Sequence, residues 1–316
     1  MRAIRLHEFG GPDVMNVEEV PEPQAGDGEV LIEVETAGIN FGDLLVREGA
    51  YMGRDSLPVI PGWEVCGRRA DTGERVVALL VGNGYAERVA APEKDVVLVP
   101  DDVPDAVALA MVIQGATAWH LLEAPRPVSA GEALLITGAG SGVTHMVVQL
   151  ARLREPGAVI VCASAPDKAE RVLELGADMV LHTDELGDQL TEAARVAAGP
   201  CGADVLIDCV GEPLFGALMR ALRPGGRAVV YGMAGGTPAQ VHTGALLKHG
   251  LTVSGLWLGH GGGEPLAVTL DRLFGLWREG KLEPTLGPEL PLAEAPEAHR
   301  LVAARTGVGK VVLRVR

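Results

Sequence analysis

Three short patterns follow one another between residues 133 and 150. They are an apolar run, ALLI, a small-residue turn, Gly138-Ala139-Gly140-Ser141-Gly142, and a repeat of Val143, Met146, Val147 and Leu150 at helical spacing. The run has the length and composition of a strand buried on both faces. The repeat marks an amphipathic helix. Strand, glycine turn and helix in that order form a phosphate-binding unit, because glycine lets the backbone approach a pyrophosphate and the free N–H groups at the helix start attract its charge. The same order also serves as an ordinary tight connection, so the rest of the chain has to decide between the two.

Downstream, strands and helices alternate. Strands are predicted at 158–163, 179–181, 205–209 and 227–231, with helices at 143–154, 166–175, 186–198 and 213–222. This alternation is the signature of a doubly wound parallel sheet. One more strand is predicted at 251–258. Upstream, the first 100 residues read as β-rich, with strand candidates at 1–6, 28–36, 64–68, 75–80, 86–91 and 96–99 separated by glycine turns. That spacing fits a compact β-barrel-like domain. Asp105 is placed to cap a helix over 106–112, and a second helical stretch follows at 117–122. A β-like tail at 310–315 is expected to return to the first domain.

The 316 residues suffice for about two domains. A net charge of −15 without a basic block argues against a nucleic-acid surface. No apolar run approaches the ~20 residues needed to span a bilayer, and the N-terminus lacks the apolar core of a signal peptide. Cys66, Cys162, Cys201 and Cys209 show no ligand spacing. Cys162 and Cys209 lie in apolar strand-like runs, as buried inert thiols do. A reduced, cytoplasmic protein is the expectation.

The second strand of the phosphate-binding unit ends at Ala163-Ser164-Ala165. An NAD-preferring unit would place Asp or Glu there to bond the ribose 2′-hydroxyl. Ser164 and, one helical turn later, Lys168 are suited instead to a 2′-phosphate, which favours NADP(H) over NAD(H), although Asp167 is close by.

The chain resembles the zinc-independent medium-chain dehydrogenase/reductases, specifically the NADPH:quinone oxidoreductase (zeta-crystallin-like) group, over essentially its full length. The segments that carry the resemblance are AGINFGDLLVREGAY (37–51), PVIPGWEVCG (58–67), QGATAWHLL (114–122), GAGSGV (138–143), ASAPDKAERVLELGADMV (163–180), ADVLIDCVG (203–211), LRPGGRAVVYG (222–232) and AHRLVAARTGVGKVVL (298–313). It implies an α/β protein with a GroES-like β-barrel catalytic domain (1–116 and 262–316) and a Rossmann domain (117–261), the active cleft lying between them. It also implies NADPH as cofactor, bound by Ala139, Gly140, Ser141, Gly142, Val143, Thr144, Ser164 and Lys168, with Thr117 supporting the nicotinamide and Val210 and Gly232 at the carboxyl ends of their strands. Asn40, Asp43 and Tyr51 are implied at the cleft. Asn40 would donate to a quinone oxygen or to the nicotinamide ribose, Tyr51 would donate a hydrogen bond or a proton to the reduced oxygen, and Asp43 would orient its neighbours. Lys310 matches a tail lysine that reaches towards the cleft.

The chain departs from the pattern in three respects, the first of which involves two positions. Zinc-dependent relatives place a cysteine next to the AGI segment and a histidine in a GHE triplet, where this chain has Ile39-Asn40 and Gly62-Trp63-Glu64. With the zinc-holding lobe also missing, no metal is expected. Thr144 replaces the last glycine of the nucleotide turn and adds bulk where the helix leaves the phosphates, which either shifts the helix slightly, with the hydroxyl bonding a phosphate, or weakens or abolishes cofactor binding. Thr183 stands where many NADPH-using relatives carry a tyrosine. His120, His145 and His299 fall within helical patterns and receive no acid–base role.

The expected activity is hydride transfer from NADPH to a quinone. The alternatives are reduction of an α,β-unsaturated carbonyl or enoyl substrate, and a nucleotide-binding or scaffold protein of the same fold without catalysis. A homodimer paired through the apolar edge strand 251–258 is expected, since an exposed edge of this kind otherwise invites aggregation.

Overall fold

The computed structural model describes residues 1–51, 56–183, 187–260, 263–307 and 309–316. Its elements divide between two compact units, one formed by Met1–Ala116 with Gly261–Arg316 and the other by Thr117–His260. The boundary foreseen between residues 261 and 262 falls outside the described residues.

In the first unit, β1 (Arg2–Arg5) pairs with β2 (Asn16–Glu19) as a separate antiparallel ribbon. The long strand β3 (Glu29–Gly38) follows, then α1 (Phe41–Arg47), β4 (Glu64–Arg69), β5 (Arg75–Leu79), β6 (Arg88–Pro92) and β7 (Val96–Leu98). Along β3, Val30, Ile32 and Val34 are buried in turn, as period-two alternation requires. At Ile32 and Glu33 this strand pairs with both β4 and β6, so those two occupy its opposite edges. Its last residues, Thr36–Gly38, leave the β6 edge open for another strand.

After β7 come α2 (Asp105–Ala110), a π-helical segment (Met111–Gly115) and α3 (Ala116–Leu121), one run with a widened middle. Asp105 is the first helical residue here and not the cap, which is Pro104. Its carboxylate is drawn instead to the Arg75 guanidinium and the Thr36 hydroxyl.

The second unit holds β8 (Ala133–Ile136), α4 (Gly142–Arg152), β9 (Ala158–Ala163), α5 (Pro166–Glu174), β10 (Met179–His182), α6 (Asp188–Ala198), β11 (Ala203–Asp208), α7 (Leu214–Met219), β12 (Leu222–Val230), α8 (Thr243–His249) and β13 (Thr252–Gly255). Its six strands are all parallel, in the order β10-β9-β8-β11-β12-β13. Numbered from β8, that is 3-2-1-4-5-6, the Rossmann order. Every residue of β8 is buried, because helices cover both faces. Leu135, Ile160, Leu206, Phe215 and Leu218 share one core. The strand foreseen at 251–258 is only four residues long and forms the sheet edge. The foreseen helix start at Leu186 lies outside the described residues.

The chain then returns to the first unit through α9 (Leu266–Arg278), β14 (Leu286–Pro291), α10 (Ala295–Ala303) and β15 (Lys310–Arg314). β15 takes the open end of β3, pairing Val312 with Gly38 and Arg314 with Thr36. Val311 and Leu313 thereby enter the core built by Ile4, Ile32, Val34, Val65 and Val76. The tail does return to the barrel-like sheet.

Burial separates the four thiols. Cys66, Cys162 and Cys209 are buried and Cys201 is exposed. Burial pushes Cys162 up to about 12 and Cys209 up to about 11, and it raises Cys66 as well. A disulfide-exchange reagent at neutral pH is therefore expected to titrate one thiol quickly and the other three only on unfolding. A second fast thiol in the native protein would contradict this placement.

Candidate functional site

In the second unit, the turn between β8 and α4 is built for a close approach. Gly138 has φ +78°, and a Cβ there would come within 2.5 Å of the Cys209 Sγ. No side chain can occupy that space. Ser141 flanks α4 in an extended conformation and its side chain makes no cap bond, so the first N–H groups of this eleven-residue helix are not spent on the Ser141 hydroxyl. His145 bonds the Ala139 carbonyl through Nε2 at 2.8 Å. Because a carbonyl only accepts, Nε2 carries the proton, and burial lowers this ring's pKa and keeps it neutral. The sequence assigned His145 no role, yet it pins the turn.

A hydrogen-bonded floor lies beneath that turn. The Thr137 hydroxyl donates to Asp208 at 2.8 Å, and Asp208 accepts the Gly211 N–H at 3.0 Å. Burial raises the Asp208 pKa. The Thr144 hydroxyl donates to the Thr137 carbonyl at 2.9 Å and lies 3.4 Å from the Tyr231 hydroxyl. Thr144 is fully buried, so its proton is spent inside the fold and not on a phosphate. The signal for this floor was present in ADVLIDCVG, where a carboxylate closes an apolar strand.

Ser164 is exposed just past β9, and Lys168 on the first turn of α5 brings its Nζ within 3.3 Å of the Ser164 hydroxyl. Thr183 gives both its N–H and its hydroxyl to the Ala163 carbonyl. Val210 and Gly232 follow β11 and β12, and the loops they begin are laced together, Ala234 N–H to Cys209 O at 2.7 Å and Gly235 N–H to Val210 O at 2.9 Å. Gly140, Gly142 and Val143 are half-buried in the turn and helix start, and Thr117 is nearly buried in α3. An exposed Ser–Lys pair at the end of the second strand, beside a glycine turn at a helix N-terminus, fits a dinucleotide carrying a 2′-phosphate.

In the first unit, Asn40, Asp43 and Tyr51 gather at the start of α1. Tyr51 lies edge-on against Trp63 with ring centroids 4.6 Å apart. A Cβ at Gly42 would touch the Tyr51 ring at 3.4 Å, so the ring lies over that glycine. Asp43 is fully buried and accepts the Asn40 N–H at 2.8 Å and the Gly62 N–H at 3.1 Å. The first of these bonds is the return half of a capping box. Burial lifts its carboxyl to about 7, opposed by these N–H bonds and by Lys310 and assisted by Glu64.

The sequence left a buried network around these residues unread. Lys310 Nζ is paired with Glu64, and both side chains have no exposure. Lys310 also donates to Ile39 O at 3.2 Å and Asn40 Oδ1 at 3.1 Å, while Glu64 accepts Asn40 Nδ2 at 2.9 Å and Ile113 N–H at 3.1 Å. The Tyr85 hydroxyl lies 3.2 Å from His299 Nε2, and the nearby Asp43 charge, after burial, helps to raise its pKa. His299 Nδ1 in turn meets Arg47 Nη1 at 3.1 Å. Nδ1 therefore accepts, since a guanidinium only donates. Burial, with Arg47 beside it, pushes His299 down to about 3. Among the described residues, no group of three or more His, Cys, Asp and Glu is placed to hold a metal ion.

Residues 26–84 match the alcohol dehydrogenase GroES-like domain and residues 142–272 match the zinc-binding dehydrogenase model. The chain is 31% identical to quinone oxidoreductase-like protein 2 of Bos taurus, covering 100% of this chain and 93% of that protein. Among solved structures, mycobacterial Rv1454c complexed with NADPH superposes with a TM-score of 0.91 at 33% identity, covering 100% of both chains. Escherichia coli quinone oxidoreductase complexed with NADPH gives a TM-score of 0.91 at 25% identity, also over 100% of both. With the GroES-like sheet, the 3-2-1-4-5-6 Rossmann sheet and Asn40 and Trp63 where zinc-dependent relatives carry their ligands, the chain belongs to the zinc-independent medium-chain dehydrogenase/reductases of the quinone oxidoreductase family.

Proposed function

We propose that this protein is an NADPH-dependent reductase that delivers hydride to quinones. The observation that carries the cofactor assignment is the Ser164–Lys168 pair at the end of β9, where a carboxylate would stand for NAD. NADPH, when bound, supplies the hydride. The chain's own part is to hold the dinucleotide on the Gly138–Gly142 turn and to donate hydrogen bonds to the acceptor oxygen as it gains charge. Asn40 and Tyr51 are the donors, and Asp43 fixes the helix start that carries Asn40.

Fluorescence titration with NADPH and NADH tests the first half of this reading. Selective NADPH binding is expected, and Lys168→Ala should weaken NADPH about tenfold, the loss of one charge-assisted bond of roughly 1.4 kcal/mol, while leaving NADH unchanged. Equal affinity of the wild type for both cofactors would remove the assignment. Turnover of 1,4-benzoquinone with NADPH tests the second half. An enzyme active only on enones would move it to the unsaturated-carbonyl class, whose acceptors share the electron-poor C=C–C=O unit.

A second copy is proposed to pair along β13, the edge of the parallel sheet, near the exposed Leu247 and Trp257. Sedimentation equilibrium should then give a dimer, and a strictly monomeric protein at micromolar concentration would exclude it. A reduced cytoplasmic setting suits its four free cysteines.

A further inference from the structure

A fully buried ion pair is a poor source of stability, because the cost of drying two charges offsets their attraction. The Glu64–Lys310 pair is nonetheless built into the first unit with some care. Gly38 on β3 makes its room, since a Cβ there would strike Glu64 Oε1 at 2.2 Å and Lys310 Cε at 2.7 Å. Glu64 Oε2 accepts the Ile113 N–H from the π-helical segment, and the Lys310 ammonium spends a further bond on the Ile39 carbonyl. Each partner has one contact left, and both contacts fall on the same group, the Asn40 carboxamide.

A carboxamide has two orientations that differ little in shape and exchange donor for acceptor. Lys310 can only donate and Glu64 as a carboxylate can only accept. Lys310 therefore selects Asn40 Oδ1, at 3.1 Å, and Glu64 selects Nδ2, at 2.9 Å. The flipped amide would set NH₂ against an ammonium and an oxygen against a carboxylate. One hydrogen of Nδ2 remains, and Asn40 is half-buried, so that hydrogen has no acceptor among the described residues.

We propose that Glu64 and Lys310 are positioning residues that lock the Asn40 carboxamide in one orientation, so that its remaining Nδ2 hydrogen is presented to the acceptor oxygen or the nicotinamide ribose. The locking stands on the geometry alone; its catalytic consequence rests on the proposed reductase activity. The pair acts through Asn40 and touches no reactant.

The chain contains only three asparagines, Asn16, Asn40 and Asn83, which makes the lock directly observable. Asparagine-selective 15N labelling gives three carboxamides, with Asn40→Ala assigning the one of interest. In the wild type, one Asn40 amide hydrogen should exchange at least tenfold more slowly than those of Asn16. In the Glu64→Gln/Lys310→Met double variant that protection should fall by tenfold or more. An unprotected Asn40 amide in the wild type would overturn the proposal whether or not the variant folds.

Kinetics supply the second arm. Asn40→Ala and the double variant are each expected to lower kcat/KM about 10–100-fold, agreeing within threefold. The triple variant should lose no more than either. Losses that multiply in the triple variant, or a double variant with wild-type kcat/KM, would sink the positioning role. If the wild type reduces no quinone, the reductase reading fails, and the amide measurement decides the lock by itself.

Discussion

Lys310→Met is expected to destabilise the protein by about 3–5 kcal/mol, the usual penalty for leaving one charge of a buried pair uncompensated. Lys310 is the only cation within bonding distance of Glu64 among the described residues, and neither side chain reaches solvent. The nearby Asp43 makes the vacancy worse, because a second carboxyl shares the neighbourhood. That loss is a large fraction of the ~5–15 kcal/mol by which a domain is stable. Adding Glu64→Gln in the same chain removes the orphaned charge, so most of the loss should return. Urea denaturation of the single and double variants checks both statements. A single variant within about 1 kcal/mol of wild type would mean that water or another group reaches Glu64.

The second large effect is a pair of opposing pH dependences in the same unit. Asp43 is raised from the ordinary 3.8 to about 7 by burial. Between those values the native carboxyl holds a proton that the unfolded chain has lost. Its contribution to stability is therefore complete below pH 3.8 and disappears as pH rises to about 7. His299 is lowered from 6.5 to about 3, by burial and then by Arg47. Here the unfolded chain binds the extra proton, so stability is complete above pH 6.5 and is lost as pH falls towards 3. Each shift of about three units corresponds to roughly 4 kcal/mol at its limit.

The two slopes overlap and largely cancel in the wild type. Substitution should expose them separately. Asp43→Asn is expected to melt at progressively lower temperature, relative to wild type, as pH drops from 6.5 to 4. His299→Gln should melt at progressively higher relative temperature over the same interval. Thermal melts at half-unit steps read both. Two variants whose profiles run parallel to the wild type would show that neither group titrates as its surroundings imply. The Tyr85 hydroxyl meets His299 and feels the Asp43 charge, so a departure from simple addition in the double variant would measure coupling between the two groups.

The Rossmann half was the more legible in sequence because its signals are local. A run such as ALLI, a glycine turn and an apolar repeat at helical spacing are each set by the next few residues, and their order carries the parallel topology. The strand at 158–163 falls where the pattern put it, and the helix foreseen at 143–154 runs over Gly142–Arg152. Boundaries slipped where contacts from elsewhere take over. Asp105 was read as a cap from its position before an apolar stretch, but Arg75, thirty residues away in sequence, takes its carboxylate. The predicted strand at 251–258 is cut to Thr252–Gly255 because only those residues have a neighbour, β12, to pair with.

The sequence by itself determined the fold class and the strand, glycine turn and helix of the Rossmann unit, since each depends on residue type and near-neighbour spacing. Tertiary structure alone decided how the first unit's polar residues are used. Asn40, Glu64 and Lys310 are separated by 24 and 246 residues along the chain and meet only because β15 closes onto β3 beside β4. Asp43, Tyr85 and His299 come together for the same reason, from α1, the approach to β6 and α10. Burial then sets their protonation and their hydrogen-bond directions, and burial is a property of the packed chain that no local pattern encodes.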